Sequence, residues 1–150
     1  MTAISVAFLV FVITFNLIIF VLAFNACSKR KNAYGETPFF YPLGMYVWGD
    51  ALVFSFFWAA AASISLYLND WILFWLIFSV FWLVRSIGET VYWLNQQFSP
   101  IIRYEVERLP ARRIFHNDSV WFIFQIMNQC LTVVTIITTL YLAKIWLSSF

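Results

Sequence analysis

Four long stretches of the chain are almost free of charge and of turn residues, and most of the polar positions are gathered between them. The first covers residues 3–26. No charged side chain precedes Lys29, and only Ser, Thr and Asn interrupt the apolar run. About 20 residues cross the hydrocarbon core of a bilayer as a helix, so this run is long enough to span. The second stretch, residues 46–68, has Asp50 near its start and a block of small residues over 59–63. Asn69 and Asp70 then make a very short connection, and Asp70 is placed to cap the next helix with its carboxylate. That third helix covers residues 70–98 and is stopped by Ser99-Pro100. The fourth covers residues 119–146, with Asp118 or Ser119 as N-cap and no charge before Lys144.

Two longer connections remain. Residues 27–45 contain Gly35, Pro38, Pro42 and Gly44, which predict irregular backbone, while Tyr34, Phe39, Phe40 and Tyr41 suit the headgroup level. Over residues 101–113 the pattern fits either a strand or a short amphipathic helix. Ser99-Pro100 as N-cap and first helical position favour the helix, lying on the inner membrane surface.

Composition agrees with this pattern. Of the 150 residues 63% are hydrophobic, and only 11% are charged, too few to coat a water-facing globule of this size. The expected fold is therefore all-α: one polytopic domain over residues 1–150, with four transmembrane helices in an antiparallel bundle. A net charge of +2 gives no reason to expect nucleic acid. Where the charge sits matters more. Lys29, Arg30 and Lys31 lie in one long loop and Arg103, Arg108, Arg112 and Arg113 in the other, so these residues are expected to meet lipid headgroups. The positive-inside rule puts both long loops in the cytoplasm and both termini on the far side. That side also excludes glycosylation at Asn117-Asp118-Ser119, which is expected to be a chance match or a helix cap.

Three ionisable residues fall within the predicted spans: Asp50, Arg85 and Glu89. Each costs about 2.5–3.5 kcal/mol at a helix centre on the mildest scale, so they should be hidden from lipid. Arg85 and Glu89 are one turn apart and can pair. Trp71, Trp75, Phe78, Trp82, Arg85, Glu89 and Tyr92 advance by alternating fours and threes, which predicts a seam facing other helices. In the last span Gln125, Asn128, Thr132, Thr135 and Thr139 form a polar stripe, with Gln129 alongside, and the first span contributes Asn16. The expectation is one buried polar cluster of Asp50, Arg85, Glu89, Asn16, Gln125 and Asn128. It would serve helix docking or hold an ion or ligand.

Enzyme chemistry finds little footing. His116 is the sole histidine, and Cys27 and Cys130 form no paired motif, so no metal site or other cofactor is expected. Cys27 is a poor lipobox match, though a juxtamembrane cysteine can be palmitoylated. No catalytic residue is assigned. The expected role is a subunit, assembly partner or scaffold, working with membrane lipids and with other membrane subunits or further copies of itself. An oligomeric ion- or proton-coupled transporter or channel is the alternative. A lipid-acting enzyme using Asp50, Glu89, Arg112 and Arg113 is the second alternative.

Overall fold

The computed structural model describes residues 1–100 and 119–148. Regular structure there is helical apart from one antiparallel bridge between Glu36 and Val47. The four long helices are α1 (Ala3–Ser28), α2 (Trp48–Tyr67), α3 (Trp71–Phe98) and α4 (Ser119–Leu147), and all four are long and apolar enough to cross a membrane. The shortest, α2, has 20 residues, about 30 Å at 1.5 Å per residue. The amphipathic segment expected over 101–113 lies outside the described residues, as do His116, Asn117 and Asp118.

The chain divides into two compact units, Met1–Ile77 and Phe78–Phe150. In the first, Thr2 caps α1 by accepting from the Ser5 N–H at 3.2 Å. The Met1 ammonium donates to Asn69 Oδ1 at 3.3 Å, and Phe20 packs beside Phe56, so α1 and α2 run antiparallel. Their contact is built on small side chains. Ala51, Ser55, Ala59, Ala62 and Ser65 of α2 and Ala23 and Ala26 of α1 are all buried. Small residues let two helix backbones approach closely, which matters in lipid because the surrounding chains are as apolar as leucine. Phe74, from the opening turns of α3, closes this core against Trp58 and Phe8.

The α1–α2 connection is irregular, as its glycines and prolines predict, but it is tightly tied. A 3-10 turn, Pro38–Leu43, ends at Gly44 in the left-handed region (φ 73), which glycine enters without a steric penalty. The Thr37 N–H donates to Tyr46 O and its hydroxyl to Met45 O at 2.8 Å, while Trp48 N–H and Gly49 N–H reach Gly35 O and Ala33 O. Helical side chains lean toward their own N-terminus, so Trp58 reaches back along α2 and its indole N–H donates to Leu43 O at 3.0 Å. The connection thus folds back onto α2, with Met45 fully buried. Burial raises the pKa of the Tyr41 phenol, and the Glu36 carboxylate raises it further.

The α2–α3 connection is three residues long, Leu68, Asn69 and Asp70. Asn69 takes a left-handed φ of 52, which asparagine tolerates, and Asp70 accepts from the Leu73 N–H at 3.0 Å, capping α3 as its position predicts.

Two outcomes follow for the tied connection. Thr37→Val keeps the side-chain shape but strands Met45 O, so it should lower stability by about 1–3 kcal/mol, read from thermal unfolding in detergent. An unchanged midpoint would mean that this bond contributes nothing. For Tyr41, the folded state holds the phenolic proton more tightly than the unfolded chain. Its contribution is therefore intact below the unfolded value of about 10 and is lost as pH rises through the higher folded one. Tyr41→Phe should lose less stability than the native chain between about pH 9 and pH 11.

Candidate functional site

The six residues expected to form the polar cluster are divided between the two units. Asp50 and Asn16 belong to the first, and Arg85, Glu89, Gln125 and Asn128 to the second. Asp50 stands in the opening turn of α2, because that helix begins at Trp48 rather than two residues earlier. Its Oδ2 accepts from the Tyr46 N–H at 3.2 Å. A carboxylate here satisfies a backbone donor ahead of the helix and also sits at the positive end of the helix dipole. Asn16 is the deepest polar residue of α1, 1% exposed, and its Nδ2 donates to Val12 O. Its Oδ1 is buried without a partner, a cost of about 1–3 kcal/mol. Lys29, Arg30 and Lys31 are exposed together at the end of α1. Arg103, Arg108, Arg112 and Arg113 lie outside the described residues.

The second unit is joined by a ladder of neutral hydrogen bonds. Ser79 Oγ and Thr139 Oγ1 are 2.8 Å apart, and Thr132 Oγ1 donates to Ser86 Oγ at 2.8 Å. Seven residues forward on α3 thus match seven residues back on α4, which fixes the two helices as antiparallel. The same step continued reaches Trp93 and Gln125. There Gln97, bonded back to Trp93 O, donates to Gln125 Oε1 at 2.6 Å. Trp93 stacks on Phe124 at 4.9 Å and closes that end with Val120 and Trp121. A seven-residue step keeps each rung on the facing side of its helix, as in coiled-coil packing.

Arg85 and Glu89 pair on α3 at 3.1 Å, their side chains 19% and 13% exposed, with Arg85 near the midpoint of the helix. Asn128 is buried and its Nδ2 donates to Phe124 O within α4. The α4 stripe read from sequence is the face that meets α3. On α3 the facing residues are Ser79, Ser86 and Trp93, each one position on from Phe78, Arg85 and Tyr92 of the aromatic seam and about 100° round the helix. The missed signal was the seven-residue repeat of serines in α3, matched by that of Thr132 and Thr139 in α4. In the first unit, Ile4, Phe8, Trp71 and Trp75 are among the residues lining an apolar cleft of about 480 Å³.

Chemically, this arrangement can bond helix to helix and hold one internal ion pair. Among the described residues no three His, Cys, Asp or Glu side chains converge on a common point. No family model, curated protein or solved structure matches the chain.

The ladder makes a quantitative demand. A double-mutant cycle of Ser86→Ala and Thr132→Val should give a coupling of about 0.6 kcal/mol, and not above about 1.7. Unfolding in mixed micelles would measure it. Strict additivity of the two changes would mean that the rung is geometrically present but energetically empty.

Proposed function

We propose that this chain is a multi-pass membrane protein acting as a subunit, assembly partner or scaffold. On this reading the four helices cross the bilayer as one antiparallel bundle, with both long loops cytoplasmic and both termini on the opposite side. The asymmetry of basic residues supports that orientation: Lys29, Arg30 and Lys31 adjoin the end of α1, while the α2–α3 turn carries only Asp70. Membrane lipids and other membrane subunits, or further copies of the chain, are its partners.

One observation carries the role. Most side chains that hydrocarbon makes costly are engaged in holding structure together, Asn16 Oδ1 being an exception: Ser79, Ser86, Thr132 and Thr139 in interhelical bonds, Gln97 with Gln125, Arg85 with Glu89, and Asp50 with the backbone ahead of its helix. A transport or catalytic site keeps polar groups available for a ligand. Groups already bonded to one another serve architecture.

Arg85 and Glu89 provide the test. Arg85→Met alone leaves a carboxylate inside the span and should sharply lower the yield of folded protein. Arg85→Met with Glu89→Gln should restore much of that yield. Native mass measurement on the chain extracted with its lipids should show an assembly heavier than one copy. A lone monomer would contradict the role. So would loss of proton or ion flux in vesicles carrying Glu89→Gln while folded protein is retained, and that result would establish the transporter reading instead.

A further inference from the structure

The turn between α1 and α2 lies far along both helices from the ends that it joins. The ring of Phe40 meets that of Phe15 at 6.3 Å, and Phe15 lies about 20 Å along α1 from its end at Ser28. Leu43 O accepts from the Trp58 indole N–H at 3.0 Å, and Trp58 lies about 15 Å along α2 from its start at Trp48. The reach of these side chains takes a few ångströms off each distance. Both contacts then leave the turn Pro38–Leu43 about 10–15 Å down the pair of helices. The antiparallel bridge between Glu36 and Val47 marks where the chain goes down and where it comes back.

We infer that Pro38–Leu43 is the tip of a re-entrant hairpin, which enters the hydrocarbon beside α1 and α2 and leaves by the same side. This rests on the bilayer-spanning reading proposed above, and it puts Phe39 and Phe40 deeper than the headgroup level that their aromatic character suggests. With 26 residues α1 is about 39 Å long, against a hydrocarbon core of about 30 Å. Centred in the bilayer, it ends about 4–5 Å outside the hydrocarbon, which leaves the tip roughly 5–10 Å inside.

Polarity along the connection agrees with that depth. Lys29, Arg30, Lys31 and Glu36 all precede the descent, and residues 37–47 carry no charged side chain. Phe39 is 91% exposed, with Pro38 and Pro42 exposed beside it, while its neighbour Phe40 turns inward onto Phe15 and Trp48. An apolar tip is costly in water and costs nothing among acyl chains. Irregular backbone is tolerated at membrane depth only where its polar groups are met within the protein. Here Pro38 and Pro42 bring no N–H at all. The N–H groups of Thr37, Phe40, Gly44 and Met45 all donate to carbonyls of the same hairpin. The Thr37 hydroxyl donates to Met45 O, and the Trp58 indole to Leu43 O. A loop lying in water has no need of such closure.

The experiment uses the full chain in vesicles, with Cys27→Ser and Cys130→Ser and a single nitroxide label on Phe39→Cys, Asn32→Cys or Leu17→Cys. All three replaced side chains are exposed, so each variant should fold. Asn32 stands at the head of the connection, and Leu17 lies on α1 near the depth inferred for the tip. Relaxation by dissolved oxygen and by a water-soluble nickel chelate, present on both sides of the membrane, gives the depth of each label. Residue 39 should lie about 10–15 Å deeper than residue 32 and within a few ångströms of residue 17. Pro42→Cys, at the other end of the turn, should report the depth of residue 39. Residues 39 and 42 as open to the chelate as residue 32, with residue 17 shielded, would overturn the hairpin and leave the spanning helices standing. Residue 17 open to the chelate as well would overturn the spanning reading with it.

Discussion

A hydroxyl, amide or ionised side chain inside a bilayer has no water to bond with, and so every such group must find its partner within protein. This chain contains enough of them that their pairing dictates how α3 and α4 meet. Where α3 faces α4, the partners are side chains at matched seven-residue intervals. Where a hydroxyl is exposed, as at Thr14 and Thr138, the partner is the carbonyl one turn back. At the head of α2 a carboxylate satisfies a backbone N–H that the start of a helix would otherwise leave open.

The two units meet this demand differently. Between α1 and α2 the contact is steric: alanines and serines bring the backbones close, dispersion does the joining, and the connecting loop is closed on itself through Thr37 and fastened to α2 through Trp58. Between α3 and α4 the contact is directional, and each rung specifies a register. A close-packed alanine face tolerates sliding poorly because bulk intrudes, whereas a ladder resists it because every rung would have to break together. The polar contact therefore specifies geometry more than it adds raw stability, since each interhelical bond contributes only about 0.6 kcal/mol on average.

Much of this was legible in the sequence. Four apolar runs separated by charged or Gly/Pro-containing segments gave helix ends within about two residues of those observed, and Asp70 was recognisable as a cap from its place after Asn69. The polar stripe of α4 was also readable, because amides and threonines stand out in an apolar helix. Its counterpart on α3 was hidden by contrast. Tryptophans and charges drew the eye to one face, while the working face carried serines, which are small and common. The bond from the Tyr46 N–H to Asp50 became legible only once the start of α2 was located at Trp48. The fastening of the 29–47 connection depends on backbone carbonyls and N–H groups that meet each other or the Thr37 and Trp58 side chains, and these meetings leave no periodic pattern in the sequence.

The faces of α4 hidden from lipid are the most direct readout of the α3–α4 pairing. Spin labels placed singly at residues 124–141 in the full chain, in vesicles, would report accessibility to dissolved oxygen, which partitions into the acyl chains. Accessibility should oscillate with a period near 3.5 residues, with minima at 125, 132 and 139, where the rungs to α3 lie. A flat profile, or one with its minima at 127, 134 and 141, would contradict the account.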